Sequence, residues 1–307
     1  MNELTIVMYH YVREISNSRF PRIKGLEIDG FRRQLDYLSK HYVFITVEEI
    51  FEYYSKGLQI PAKACWLTFD DGYKDHFTYV LPELSRRGIE GSFFVPSKPV
   101  LKDIVLDVHA IQHILASASN EEDLLSEFAS VCESDGISRD LLDGMWKEHA
   151  VASRFDSAGV AYFKRMLQHV LPLPVRSRVL SRLLETFVRL DEAELSDQLY
   201  LTPAETKVLK QSGMVVGGHT HSHPWLDKLS TTAKRSELDA SRAFLQSVGV
   251  DENRWTMAYP YGAYDAEIIG ILEAGGCELA VTTKPEIARL DSNKLALARL
   301  DTNDFPQ

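Results

Sequence analysis

Short apolar runs that stop abruptly at charged, histidine or glycine residues recur along this chain, with helical patterns between them. Leu4 to Tyr9, Ala64 to Phe69, Gly91 to Val95, Met214 to Gly218, Trp255 to Ala258 and Glu278 to Thr282 each have the length and β-branched or aromatic content of a buried strand, and Leu295 to Leu300 reads as the last. Between them, Asp29 is placed to cap a helix carrying Phe31, Leu35 and Leu38 on one face. Thr46 with Glu49 forms a capping-box pattern for a helix to about Lys56, and Gly88 stops a helical stretch ending at Arg87. Further helices are predicted over 203–212, with Thr202 as N-cap, and over 231–248 and 265–274. Strands alternating with helices imply an α/β fold on a parallel sheet, open or closed into a (β/α) barrel. In either form, sites are built on the loops that follow the strands' C-terminal ends.

Residues 97–200 break this alternation. Apolar residues recur there with helical spacing: Val108, Ile111 and Leu115; Leu124, Phe128 and Cys132; Val160, Phe163, Leu167 and Val170; Val179, Leu183 and Phe187. No convincing strand pattern interrupts them. The expected organisation is one α/β body made of 1–96 and 201–307, with a large all-helical insertion at 97–200.

Charge narrows the partners. The chain holds 34 basic and 44 acidic residues, for a formal net charge of −10. The insertion carries 17 acidic and 11 basic residues, so it supplies −6 of that total. Nucleic acid is excluded as the main partner because little would neutralise its phosphates, and a basic grip on anionic lipid or polymer is not expected. Cys65, Cys132 and Cys277 form no CxxC pair and no disulfide framework. Met1-Asn2-Glu3 is acidic, and the apolar run after it ends at His10, so no secretory signal is read and a cytoplasmic location is expected. No run of 18 apolar residues offers a transmembrane segment. The sequence carries no signal for oligomeric state.

Three strand ends hold the chemistry. After the second run comes Thr68-Phe69-Asp70-Asp71-Gly72. Such a group is an ordinary polar turn, or it is a pair of carboxylates in which one holds a metal and the other acts as a base. After the fourth comes Gly217-Gly218-His219-Thr220-His221-Ser222-His223. Three histidines in five residues suit a divalent metal, and on a helical turn His219 and His223 would share a side, leaving His221 elsewhere. The metalloprotease HExxH pattern is absent, because Thr220 stands where its Glu would be. After the fifth comes Tyr259-Pro260-Tyr261-Gly262, an aromatic turn or a groove wall for a sugar ring, with a backbone N–H available for an oxyanion. His109 and His113, spaced i,i+4 in the insertion, are the rival metal pair.

Taken together, these segments resemble the polysaccharide deacetylases, the carbohydrate esterases of the nodulation-protein deacetylase type. TFDDG matches the family's first motif, HTHSH its second and YPYG a common form of its third, in the family's order. The resemblance covers roughly 1–96 and 201–307. It implies a distorted (β/α) barrel and a metal-dependent hydrolase that removes N-acetyl groups from amino sugars. It further implies Asp71, His219 and His223 as metal ligands and Asp70 as catalytic base. Two family features are missing: an arginine in the third motif, and a late Leu-x-His that supplies the general acid. A branch acting on poly-N-acetylglucosamine looks circularly permuted and carries its acid histidine in an N-terminal Tyr-His. Tyr9-His10 stands at that place here, so the role passes to His10, and Arg299 is the candidate for the missing arginine.

The resulting expectation is an amidohydrolase: water attacks the amide carbonyl, Asp70 takes its proton, the Tyr261 N–H and the metal meet the oxyanion, and His10 protonates the leaving amine. Zinc is the first candidate, and an Asp-His-His site also admits cobalt, nickel, manganese or iron. The expected substrate is an amino-sugar glycan, a nucleotide sugar or a lipid-linked saccharide. The alternatives are a deacylase acting on a formyl or non-sugar amide, and a glycan-binding relic that kept the fold without its chemistry.

Overall fold

The computed structural model describes residues 2–152 and 156–306. The chain divides into two compact units. One comprises Met1–Glu14, Gly25–Lys102 and Gln198–Gln307; the other comprises Ile15–Lys24 and Asp103–Asp197.

The first unit is built on parallel strands: β1 Glu3–Tyr9, β2 Ala64–Phe69, β3 Gly91–Val95, β4 Val215–Gly218, β5 Trp255–Ala258, β6 Cys277–Val281 and β7 Leu300–Asp301. Strands β1 to β6 lie side by side in chain order. β7 returns to pair with β1, Val7 opposite Leu300. A parallel bridge from Leu297 to Val281 ties the same tail to β6. The sheet therefore curls round as a distorted (β/α) barrel, and the C-terminal tail spans the gap between its first and sixth strands. The tail is less regular than the strand predicted over 295–300. The Ala296 N–H turns back to the Asn293 carbonyl and the Arg299 N–H goes to Lys284, so the ladder forms only at isolated points.

Register determines where the site can be. Tyr9 pairs with Phe69, Phe69 with Phe93, Val95 with Gly218, Gly218 with Met257, and Ala258 with Val281. Neighbouring strands thus end at nearly one level. The residues just beyond them (His10, Asp70, Asp71, His219 and Tyr259) emerge on the same rim.

The helices follow their local signals. Thr46 with Glu49 and Thr202 with Glu205 both close reciprocal capping boxes. Gly88 ends helix Leu81–Arg87 in the left-handed conformation. Asp29 differs from expectation: helix Ile28–His41 starts two residues earlier, at a Glu27 N-cap that makes no side-chain cap bond, and Asp29 sits in the first turn. Before Pro82, which has no N–H to give, the chain widens into a π-turn over His76–Val80. The main core packs Tyr9, Phe31, Phe69, Phe93, Trp255 and Tyr259 with aliphatic residues of the flanking helices.

The second unit is helical, with helices Asp107–Ser117, Glu121–Ser134, Arg139–His149, Ala158–Arg165 and Leu173–Leu183. Leu124, Phe128, Cys132, Phe163, Leu167, Val179 and Leu183 are buried, as their spacing predicts. The first helix buries a broader face than the line Val108–Ile111–Leu115, including both His109 and His113. Segment 15–24, expected in the α/β body, clusters instead with these helices. All three cysteines are buried free thiols. Among the described residues no helix is long and apolar enough to cross a membrane.

Candidate metal centre and active site

Asp71, His219 and His223 converge at the rim of the barrel, each offering a ligand atom within 4.8 Å of the others. The Asp71 Oδ1 lies 3.4 Å from Nε2 of both histidines. That spacing is long for a hydrogen bond and leaves room for a cation between the three groups. The other carboxylate oxygen, Oδ2, accepts the buried Tyr73 hydroxyl at 2.8 Å. The His219 Nδ1 is 2.7 Å from the Ala258 carbonyl, which can only accept. Nδ1 therefore carries the proton, and the Nε2 lone pair faces the cluster, the orientation that outer hydrogen bonds impose on ligating histidines. Burial disfavours a charged His219, but the carboxylates of Asp71 and Asp70 outweigh it and raise its pKa above the ordinary histidine value. Among the described residues this is the one His/Cys/Asp/Glu cluster of metal-binding geometry. A bound cation would displace any proton on Nε2, and one carboxylate with two imidazoles is a donor set that fits a divalent transition metal.

The histidines meet for a different reason than a helical turn. The chain from 219 to 223 is irregular, with Thr220 at φ 63° and His223 at φ 58°. Asp71 and Tyr261 are left-handed too, so among the described residues four of the six non-glycine positions with positive φ stand at this site. Such conformations cost about 1–3 kcal/mol each and persist only where surroundings enforce them. Here the Thr220 Oγ1 accepts the His223 N–H at 3.0 Å, and the Ser97 N–H is held by the Thr220 carbonyl. His221 points away from the cluster, its Nδ1 2.8 Å from the Ser97 hydroxyl.

Asp70 is anchored differently. Arg299 grips it through two parallel bonds of 2.8 and 2.6 Å. The same guanidinium donates to the Thr282 carbonyl and the Thr68 hydroxyl. Both side chains are buried, Arg299 completely. Burial pushes the Asp70 carboxyl up, but the guanidinium, aided by His219 and His10, holds it below the usual carboxylate value, so it stays ionised. The tail has thus brought to Asp70 the arginine that the third strand end lacks.

His10 follows β1, where the Tyr9 carbonyl accepts the Asp70 N–H at 2.9 Å. Its own carbonyl accepts Nε2–H of the buried His76 at 2.9 Å. Tyr261 lies in the loop after β5, its ring stacked on Trp225 at 4.3 Å and edge-on to His223 at 4.8 Å. Two expectations for that loop need correction. Tyr259 is fully buried, with its hydroxyl on the Leu295 carbonyl at 2.7 Å, so it belongs to the core and forms no groove wall. Pro260 is buried as well and opens the turn. His109 and His113 are core residues, with the His113 Nδ1–H bonded to the His109 carbonyl, and they form no such cluster. Sequence reasoning missed Tyr73, Trp225 and Glu237. The first follows the Asp pair closely enough to have been suspected, and the other two carry no local signal.

Residues 180–280, about a third of the chain, match the family described as polysaccharide deacetylase. A segment of 101 residues is 29% identical to the polysaccharide deacetylase homologue YxkH of Bacillus subtilis (strain 168), spanning 33% of this chain and 36% of that relative. Among solved structures, the Streptococcus pyogenes deacetylase PplD, in complex with acetate, superposes with a TM-score of 0.59 at 19% identity, covering 97% of this chain and 92% of its own. IcaB from Ammonifex degensii gives 0.55 at 18% identity, with 98% and 91% covered. The BpsB deacetylase domain from Bordetella bronchiseptica gives 0.57 at 14% identity, with 98% and 96% covered. At such identities these structures establish the shared fold.

Proposed function

We propose that this protein is a metal-dependent carbohydrate N-deacetylase that hydrolyses the N-acetyl group of amino-sugar residues in a glycan or a glycan precursor. The observation that carries the reading is the convergence of Asp71, His219 and His223 on one rim, beside an ionised Asp70 locked by Arg299. Binding alone would not need a buried, arginine-clamped carboxylate next to a ligand cluster.

Asp71, His219 and His223 would hold the metal, for which zinc is the first choice and cobalt, nickel, manganese or iron are alternatives. Its contribution when bound is Lewis acidity toward the amide carbonyl. Asp70 accepts a proton from the attacking water, whose oxygen bonds to the carbonyl carbon. Arg299 occupies one lone pair on each Asp70 oxygen and keeps the carboxylate ionised and oriented for that transfer. The oxyanion lies beside Tyr261, whose backbone N–H is our assignment for a second stabilising dipole. Protonated His10 gives its proton to the leaving nitrogen as the C–N bond breaks, releasing acetate and a free amine. The proposed substrates are an amino-sugar polymer, a nucleotide sugar or a lipid-linked saccharide. Residues 97–200 are proposed as a helical insertion that carries no chemistry.

The test is a screen of metal-reconstituted protein against N-acetylated sugars, nucleotide sugars and oligosaccharides, measuring released acetate. Asp70→Asn is expected to keep its metal and lose turnover. His10→Ala is expected to keep its metal and lose about 10²–10⁴ in kcat, less on an activated ester whose leaving group needs little protonation. Metal bound at full occupancy with no acetate from any substrate would return the protein to a glycan-binding role.

A further inference from the structure

The His219–His223 loop is strained at Thr220 and His223, yet both ligating rings must be held on Asp71. Its central residues, His221 and Ser222, are gripped from one side by a single carboxylate. The Glu237 Oε2 accepts the backbone N–H of His221 at 3.0 Å and of Ser222 at 2.8 Å, while Oε1 accepts the Ser222 hydroxyl at 2.6 Å. Glu237 stands on helix Thr231–Ser247, whose neighbouring Lys234, Leu238, Ser241 and Leu245 are buried. That helix is fastened near its start by Lys234, which bonds Asp265 at 2.5 Å and Glu267 at 2.8 Å. A carboxylate on a rigid helix, spending both oxygens on two consecutive backbone N–H groups and a hydroxyl, fixes the loop's path between its two left-handed residues. Acceptor oxygens placed on two consecutive backbone donors are well suited to enforce such a path, because those N–H groups would otherwise go unpaired.

We infer that Glu237 is a positioning residue for the metal centre: it holds the His219–His223 loop in its strained ligating conformation and so sets metal affinity. The inference rests on the metal-site reading above and touches no reacting atom. Without Glu237 the loop gains conformations in which the two imidazoles diverge, and the cation must then organise the site itself at the expense of affinity.

The experiment is zinc titration into metal-stripped protein by calorimetry or a competing chelator, with circular dichroism and thermal unfolding of the same apo samples. Wild type binding no zinc would defeat the metal-site reading itself, independently of Glu237. Given wild-type binding, Glu237→Ala is expected to raise the zinc Kd about 10–100-fold, as outer-shell changes do, with apo secondary structure retained. Glu237→Gln keeps a carbonyl oxygen for the two N–H groups and an amide to meet the Ser222 hydroxyl, so its Kd should stay within about threefold of wild type. Ser222→Ala, which removes one of the three bonds, should fall between and decides the matter if Glu237→Ala does not fold. A Kd for folded Glu237→Ala within twofold of wild type would overturn the inference. So would a Glu237→Gln as weak as Glu237→Ala, since that would make charge, and not loop geometry, the operative property.

Discussion

The guanidinium of Arg299, the expected substitute for the arginine missing from the third motif, reaches its carboxylate only through the returning tail. It neutralises a buried carboxylate, orients it, and joins the tail to β2 through Thr68. Removing one partner of a buried bidentate pair leaves the other charged and unsatisfied, at about 3–5 kcal/mol. Arg299→Leu should therefore lower the unfolding free energy by about that much in urea titration, and a loss under about 1 kcal/mol would show that Asp70 finds another partner. The proposed ligands make a separate prediction. Asp71→Ala, His219→Ala and His223→Ala should each lose bound metal by elemental analysis, while His221→Ala should retain most of it, because its ring faces Ser97. Full occupancy in His223→Ala would remove that residue from the site. At this scale the sequence was informative wherever chemistry clusters in a short motif. Asp71, His219 and His223 stand in such motifs and gather in the structure, whereas Tyr259 differs from expectation because an aromatic residue in a turn has the same sequence signature whether it faces a groove or the core.

Elements were legible where local physics dominates. The runs Ala64–Phe69, Gly91–Val95 and Trp255–Ala258 ended where their composition changes, and both capping boxes formed as their residues require. Asp29 failed as a cap because the Leu26–Glu27 strand pairing with Val12–Arg13 delivers the chain to the helix at Glu27, a tertiary constraint that overrides cap preference. β4 supplies the element-scale prediction. A Cβ on Gly217 would lie 2.6 Å from the Phe94 ring and 2.7 Å from the Thr256 hydroxyl. Gly217→Ala should cost about 1–3 kcal/mol through overpacking and should displace the strand that presents His219. The checks are the denaturant midpoint and the metal content of the same sample. An unchanged midpoint would mean that Phe94 has somewhere to move.

For the molecule as a whole, a ligand that binds only the folded chain stabilises it by mass action, by about 2.7 kcal/mol at a hundredfold excess over Kd. Zinc should therefore raise the thermal transition of the metal-stripped wild type. It should also raise that of a His109→Gln, His113→Gln double variant, whose changes lie in the helical unit, and leave His223→Ala unmoved. A zinc response lost in the double variant and kept in His223→Ala would relocate the metal to the helical unit. The net charge of −10 bears on none of this, because the proposed metal centre depends on three side chains and a barrel on its hydrophobic pattern.

Read alone, the sequence determined the alternation of strands and helices, the all-helical middle and the polar residues that end each strand. These are consequences of periodicity and local capping, which act over a few residues. The tertiary structure decided what reaches across the chain. Parallel register set His10, Asp70, Asp71 and His219 at one level, and the returning tail delivered Arg299 to a carboxylate 229 positions away. A loop held in left-handed conformations by Glu237 and Thr220 turned two histidines onto one aspartate. Contacts of that range depend on strand order and closure, and no local preference encodes them.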